Sequence, residues 1–136
     1  VGAVRLDDGR WNLAAAVDVD AVKRGPGIVF MGSIAMRGEA GRCAYAAAKM
    51  AQLGLVRTLA REYAASGITA NMVSPGYINA GTFRRLPEGV RQRALRSVPM
   101  KRAGSATEVA EAVWYFTTRE SGYTTGQVLG VDGAAP

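Results

Sequence analysis

The chain has 136 residues, a length that favours a single domain. Its 17 Lys and Arg residues against 11 Asp and Glu residues give a net charge of +6, and no apolar run reaches the roughly 18 residues that a membrane-spanning helix needs. Because it has no histidine and only one cysteine, Cys43, the sequence excludes an internal disulfide and a histidine-dependent hydrolase triad, and it disfavours a zinc site.

Residues 1–26 are predicted to form an irregular or helical lead-in, with a frayed helix at about 8–23. The segment GIVFMGS at 27–33 follows and predicts a short buried strand at 27–32, because an apolar run ends there in small residues. The carboxyl ends of strands in an open α/β sheet border the ligand crevice, so Ser33 is a candidate site residue.

A tyrosine and a lysine lie one helical turn apart in the alanine-rich segment that comes next. A helix over about 43–65 places Tyr45 and Lys49 on one face. A neighbouring ammonium favours the phenolate form of a tyrosine, which predicts acid/base chemistry for the pair. The spacing alone is weak evidence, because these residue types meet at it by chance on many helices. The helix is small and apolar on all sides, which predicts burial in a core or against a neighbouring subunit.

A second strand is predicted at 68–73, where GITANMVSPGYI leads into the turn at Pro75 and Gly76. A strand, a helix and a further strand in this order form a right-handed parallel βαβ unit by default. We interpret Asn71 and Ser74 mainly as residues that satisfy backbone groups of the strand and the turn, with catalysis as the less favoured alternative.

The last part of the chain is predicted to contain an irregular arm at 79–103, a helix at 105–117 and a strand at 127–131. Ser105 and Glu108 form the signature of a capping box at the start of that helix.

The arm is strongly basic, and we favour its interpretation as a solvated face that covers a substrate. Docking of an acidic partner or an anionic substrate is the second interpretation, since clustered like charges steer association. Nucleic-acid binding is the weakest, because Phe83 is the only stacking aromatic in the stretch. The basic residues are Arg84, Arg85, Arg91, Arg93, Arg96, Lys101 and Arg102, against Glu88 alone.

The segments GIVFMGS, YAAAK, LAREYA, GITANMVSPGYI and TTGQVLGVDG occur in an order that resembles the carboxyl-terminal part of the short-chain dehydrogenase/reductase family, from about Gly27 to Gly133. The resemblance implies an α/β fold, a partial Rossmann-like (doubly wound) parallel sheet with flanking helices. It also implies an oxidoreductase that interconverts a carbonyl and a secondary alcohol with NAD or NADP, of which 3-oxoacyl-carrier-protein reductases are one kind.

The same resemblance implies roles for individual residues. Tyr45 is expected to be the general acid/base, Lys49 to favour its phenolate and to bind the nicotinamide ribose, and Ser33 to orient the substrate oxygen. Cofactor contacts are expected at Tyr45, Lys49, Pro75, Gly76 and Ile78. No metal ligand is expected.

The phosphate-binding features of the family are absent from the sequence. There is no TGxxxGxG turn, no acidic residue after a first strand and no Asn-Asn-Ala-Gly. We therefore expect a single truncated domain over 1–136 that begins within the fold, with 27–136 as its catalytic part. Without contacts to the phosphates, the chain alone is expected to bind NAD or NADP weakly.

Smaller departures fall inside the matching part. Asp18 stands where an asparagine completes the family's proton relay, and Ala80 replaces a threonine that contacts the carboxamide, with Thr82 close by. The serine-to-tyrosine spacing is one residue short, a difference that Gly38 and Gly41 are expected to absorb.

Two functions from different classes remain open. The first is the oxidoreductase with a small carbonyl or alcohol substrate, for which an acidic carrier protein is a further candidate partner. The second is a non-catalytic, degenerate remnant that acts only as an oligomerising or subunit-binding polypeptide. In both cases we expect a homo-oligomer through the Tyr45 helix, because the strand at 27–32 is expected to have an unpaired edge. Membrane and nucleic acid are not expected partners.

The cellular location is expected to be cytoplasmic. No basic and then apolar leader opens the sequence, and a lone cysteine suits a reducing compartment. We interpret Cys43 as a small packed residue rather than a nucleophile, since no histidine is present to activate it.

Overall fold

The computed structural model describes residues 27–136 and, ahead of them, the backbone of residues 2–5 and 11–14. These residues form one five-stranded sheet. Its strands are β1 (Gly2–Arg5), β2 (Trp11–Ala14), β3 (Ile28–Met31), β4 (Ala70–Pro75) and β5 (Val128–Val131), and they lie in the order β2-β1-β3-β4-β5.

The strands β3, β4 and β5 are parallel, and β1 is antiparallel to both of its neighbours. The register sets Val29 opposite Asn71, and Val73 opposite Leu129. Parallel neighbours need a crossover, which a helix supplies in each case. Helix α1 (Cys43–Tyr63) connects β3 to β4, whereas α2 (Gly81–Arg85), α3 (Glu88–Arg96) and α4 (Ala106–Phe116) lie between β4 and β5.

The strand side chains alternate between two cores, one on each face of the sheet. On one face Phe30 and Met72 pack with Val56 of α1, and on the other Val29 and Val73 pack with Phe116 of α4. The three parallel strands β3, β4 and β5, with helices on both faces, form the expected partial Rossmann-like arrangement, so the predicted fold class is confirmed.

Helix α1 buries one face only. Its buried residues are Leu53, Val56 and Ala60, whereas Met50 and Leu55 are 46% and 49% exposed. The prediction that Cys43 packs is wrong, because this residue is exposed and the α1 contribution to the core begins at Leu53.

The capping box predicted at Ser105 is confirmed. The Glu108 N–H donates to the Ser105 hydroxyl over 3.1 Å, and the Ser105 N–H donates to the Glu108 carboxylate over 2.7 Å. Two donors at the start of α4 are thereby satisfied, which explains why the helix begins at Ala106.

The prediction for the lead-in is wrong where the structure describes it. Residues 2–5 and 11–14 are strands, so the helix at 8–23 does not form at Trp11–Ala14. The edge of β3 is not unpaired either, because Gly2 lies opposite Phe30 and Ala3 opposite Val29. Strand pairing satisfies backbone groups and outweighs the high helix propensity of alanine, because tertiary contacts override local propensity. Asp18 and the rest of the predicted helix lie outside the described residues.

The basic arm is helical rather than irregular. Pro87 precedes α3 with φ −52°, a value that suits helix entry. The Glu88 carboxylate then accepts hydrogen bonds from the side chains of Arg91 and, over 2.7 Å, Gln92. These pairs lie three and four residues apart and stabilise a helix that the run of basic residues did not indicate.

In the described part of the chain, no helix is long and apolar enough to cross a membrane.

Candidate active site

A cleft of about 180 Å³ lies at the carboxyl ends of β3 and β4. Ser33, which follows β3, Tyr45, in the first turn of α1, and Gly76, which follows β4, all line it. The residues that complete its lining are Ile34, Glu39, Arg42, Tyr77, Thr82, Phe83 and Leu86. Ligands of open α/β sheets bind outside the carboxyl ends of the strands, so the position of this cleft suits a substrate.

Ser33 is held by the turn that it opens. It caps the 3-10 turn Ile34–Arg37, and its hydroxyl oxygen accepts a hydrogen bond from the Ala35 N–H over 3.2 Å. The hydroxyl hydrogen is therefore available to donate into the cleft. Gly38 and Gly41, at the end of this turn and after it, have φ values of 107° and 80°, which favour glycine.

Lys49 lies between the end of β3 and the Tyr45 ring. Its Nζ donates to the Met31 carbonyl oxygen over 2.7 Å and lies 5.9 Å from the centroid of the Tyr45 ring. The predicted placement of the two side chains on one face of the helix is therefore confirmed. An ammonium has three donors, and the bond to Met31 uses one of them. The Tyr45 side chain remains accessible, with 44% of the residue exposed.

The predicted cofactor residues after β4 do not all reach the cleft. Gly76 lines it, whereas Pro75 ends β4 and Ile78 forms an isolated parallel bridge with Gly104. A Cβ on Gly76 would lie 2.8 Å from the Cα of Asp132. Only glycine allows β4 and β5 to approach so closely at this point, which gives the Pro-Gly sequence a structural reason.

The lining of the cleft includes two aromatic residues, Tyr77 and Phe83. The rings of Tyr77 and Phe83 lie 5.2 Å apart at an interplanar angle of 34°. Phe83 comes from α2, and Leu86 follows α2 directly. The sequence signal was an aromatic residue and a leucine within an otherwise basic segment, and both are partly buried in the structure.

Arg37 connects the turn after Ser33 to the end of the chain, and no sequence pattern pointed to it. Its guanidinium donates to the Ala135 carbonyl oxygen over 2.7 Å and to the Asp132 carboxylate over 2.6 Å. These residues are 95 or more positions apart in sequence. These two hydrogen bonds fasten the segment after β5 to the turn that follows Ser33.

Asn71 and Ser74, which sequence analysis interpreted together, behave differently. The Asn71 amide nitrogen donates to the Thr124 carbonyl oxygen over 2.8 Å, and its oxygen accepts from the Gln127 N–H over 3.0 Å. This confirms that Asn71 satisfies backbone groups. The Ser74 hydroxyl is buried and has no hydrogen-bond partner in the described part of the chain, so the prediction fails for Ser74.

A second cavity, of about 330 Å³, lies beside the end of β5 and includes the Arg102–Glu108 ion pair. The guanidinium of Arg102, 2.6 Å from a Glu108 oxygen, lowers the pKa of that carboxyl to about 2, and the hydrogen bond from the Ser105 N–H acts in the same direction. Among the described residues, no three His, Cys, Asp or Glu side chains are grouped to hold a metal ion.

Comparisons with known proteins relate the chain to a family. The family described as "Enoyl-(Acyl carrier protein) reductase" matches residues 8–134. The chain is 40% identical over 112 residues to the 3-oxoacyl-[acyl-carrier-protein] reductase MabA of Mycobacterium avium, covering 82% of this chain and 44% of that protein. It is 36% identical over 144 aligned residues to the 3-oxoacyl-[acyl-carrier-protein] reductase FabG of Salmonella typhimurium, covering 96% and 59%.

Another relative and a solved structure agree with these matches. Nodulation protein G of Azospirillum brasilense is 37% identical over 125 residues, 90% of this chain and 51% of that protein. The crystal structure of the TT0495 protein from Thermus thermophilus superposes with a TM-score of 0.71 at 34% identity, covering 77% of this chain and 46% of that one. The chain spans about half the length of these proteins. It belongs to the short-chain dehydrogenase/reductase family, and it spans the carboxyl-terminal part of the family's fold.

Proposed function

We propose that this chain carries the substrate-activating part of an NAD(P)-dependent oxidoreductase that interconverts a carbonyl and a secondary alcohol. The observation that carries the proposal is the shared cleft of Ser33 and Tyr45, with the Lys49 ammonium 5.9 Å from the centroid of the Tyr45 ring. A proton donor, a hydroxyl that can hold an oxygen and a cation that favours the phenolate are the groups that carbonyl reduction needs.

The chain's own residues account for the proton transfer. In the direction of reduction, the Tyr45 hydroxyl donates its proton to the substrate oxygen as that oxygen becomes a hydroxyl, and in oxidation the phenolate takes the proton back. Ser33 donates a hydrogen bond to the same oxygen and holds it in place. The bond from Lys49 to the Met31 carbonyl keeps the ammonium beside the phenol, where it stabilises the negative charge of the phenolate.

The described residues fit the nicotinamide end of a cofactor. The Lys49 ammonium keeps N–H donors that are not used by Met31 and that suit ribose hydroxyls. Gly76 lines the cleft directly after the end of β4. When bound, the nicotinamide exchanges a hydride with the substrate carbon. We expect this chain alone to bind the cofactor weakly, since its sequence has no glycine-rich phosphate-binding turn.

A 3-oxoacyl group on an acidic carrier protein is the finer substrate proposal. Two of the related proteins are named 3-oxoacyl-[acyl-carrier-protein] reductases. The arm that borders the cleft supplies cations for such a carrier, because Arg84, Arg85, Arg93 and Arg96 lie on α2 and α3 and are exposed. Clustered cations accelerate association with an acidic partner, and this attraction weakens as salt is added.

A non-catalytic oligomerising polypeptide is the second candidate, and the exposed apolar side of α1 favours it. Met50 and Leu55 are about half exposed on a helix whose opposite face is in the core. A second copy of the chain that packs there would bury both residues. Both candidates allow the chain to form an oligomer, but only the oxidoreductase predicts turnover.

The rate of turnover tests the proposal. The absorbance of NADH or NADPH is followed with ethyl 3-oxobutanoate as substrate, for the unchanged chain and for Lys49→Ala. Without the ammonium the charge of the phenolate loses its nearest cation, so turnover should fall by about tenfold or more. Undiminished turnover in Lys49→Ala would contradict the role of Lys49. The same assay without any turnover would favour the non-catalytic candidate.

A further inference from the structure

The cleft holds a charged pair that the proton-transfer chemistry does not use. Arg42, three residues before Tyr45, lines the cleft together with Glu39. The Arg42 Nε lies 3.3 Å from a Glu39 carboxylate oxygen. Both side chains are partly exposed, at 53% and 36%. An ion pair of this exposure contributes little to folding stability, so its presence in a substrate cleft calls for another explanation.

The geometry of this pair leaves most of the guanidinium unused. The contact to Glu39 is made through Nε, and the Arg42 side chain donates no other hydrogen bond to the described residues. Its two terminal nitrogens therefore remain available on the same cation. A guanidinium presents parallel N–H groups that match the two oxygens of a carboxylate, and this match is more specific than a point charge.

The remaining surface of the cleft restricts what else the ligand can be. Tyr77, Phe83 and Leu86 supply an apolar wall, while Ser33 and Tyr45 supply hydroxyls for an oxygen atom. A space of about 180 Å³ suits a compact molecule. A ligand that satisfies all three regions has a carbonyl or hydroxyl group, a short carbon chain and an anionic end.

We propose that Arg42 is a carboxylate-binding residue, and that the cleft takes small oxo acids or hydroxy acids as free anions. The carboxylate pairs with the terminal nitrogens of Arg42 while the oxo group faces Tyr45. This inference rests on the proposed function for the position of the oxo group, but not for the contact with Arg42. Glu39 opposes the ligand, since its carboxylate lies beside the same guanidinium and repels a second anion.

The test compares two ligands of nearly equal size. Acetoacetate carries the carboxylate, and its methyl ester is neutral. Each is titrated into the isotopically labelled full chain, and affinity is read from the chemical shifts of backbone amides that border the cleft. We expect acetoacetate to bind more tightly than the ester, and Arg42→Gln to weaken acetoacetate by about five- to twenty-fold while leaving the ester unchanged.

A second pair of variants separates ligand binding from simple loss of the ion pair. Glu39→Gln breaks the same ion pair but should strengthen acetoacetate binding by about two- to five-fold, because it removes a repelling charge. If the ion pair were only structural, both variants would change affinity in the same direction. Arg61→Gln, in the last turn of α1, is the matched control and should change nothing.

The outcomes distinguish the subsite from the proposed function. Equal binding of acetoacetate and its ester, no binding of either, or parallel effects of the two cleft variants would each overturn the role of Arg42. Suppose that the chain has no turnover but prefers acetoacetate, and that Arg42→Gln removes this preference. That result would support the carboxylate subsite at Arg42 and count against the oxidoreductase. Turnover of the ester without any preference for acetoacetate would support the oxidoreductase and overturn the subsite.

Discussion

Asn71 does not line the cleft, but its replacement should destabilise the strands and turns that position the cleft residues. It lies in the middle strand of the parallel part and is fully buried. Its side chain binds the backbone at Thr124 and Gln127, on both sides of the turn that leads into β5. The chain after β5 in turn binds Arg37, in the turn that Ser33 opens.

The size of the effect follows from these contacts. Asn71→Ala removes two hydrogen bonds, each worth about 1 kcal/mol net, and leaves one backbone donor and one acceptor without a partner, at up to about 1–3 kcal/mol each when water is excluded. Thr124 is only partly buried and Gln127 is exposed, so water can replace part of what is lost. We therefore expect the free energy of unfolding to fall by about 2–4 kcal/mol.

Urea unfolding followed by circular dichroism measures this change through the midpoint and the slope. Asn79→Ala is the matched control, since Asn79 is exposed and should change stability by less than about 0.5 kcal/mol. An Asn71→Ala variant that unfolds within about 0.5 kcal/mol of the unchanged chain would refute the reasoning. It would mean that the turn before β5 is held by other contacts.

Two further predictions concern the end of β4 and the start of α4. Gly76→Ala should destabilise by about 1–3 kcal/mol in the same urea assay, because the new Cβ would lie 2.8 Å from the Asp132 backbone; Gly54→Ala, with nothing within 4 Å, should be neutral or stabilising. The pKa of Glu108 is lowered from 4.5 to about 2, so its contribution to stability is complete above pH 4.5 and is lost as the pH falls towards 2. Glu108→Gln should make the urea midpoint of unfolding depend less on pH in that window. If the midpoint of the variant changes with pH as much as that of the unchanged chain, the ion pair between Glu108 and Arg102 is contradicted.

Local sequence patterns predicted the central part of the fold. The apolar run before Ser33, the spacing of Tyr45 and Lys49 and the capping box at Ser105 each depend on contacts within a few residues, and each is found in the structure. The strand predicted at 68–73 is displaced to Ala70–Pro75, which reflects how little local sequence fixes the exact end of a strand.

Features that depend on distant partners could not be predicted in the same way. Strand β1 pairs with the edge of β3, although the paired residues lie more than 20 positions apart in sequence. Nothing in the composition of residues 1–26 indicated strands. The contact of Arg37 with Asp132 spans 95 residues. The placement of Phe83 in the cleft requires knowing how α2 folds back over the strand ends. Such contacts are set by the tertiary structure rather than by periodicity.

The most direct test of the central claim is the rate of NADH or NADPH oxidation with ethyl 3-oxobutanoate in Tyr45→Phe compared with Tyr63→Phe. Both variants remove one phenolic hydroxyl from α1, but Tyr63 packs against the core at the far end of the helix. If Tyr45 transfers the proton, Tyr45→Phe should lose turnover by at least about 100-fold at every pH while Tyr63→Phe retains it. Undiminished turnover in Tyr45→Phe would remove Tyr45 from the mechanism and contradict the account.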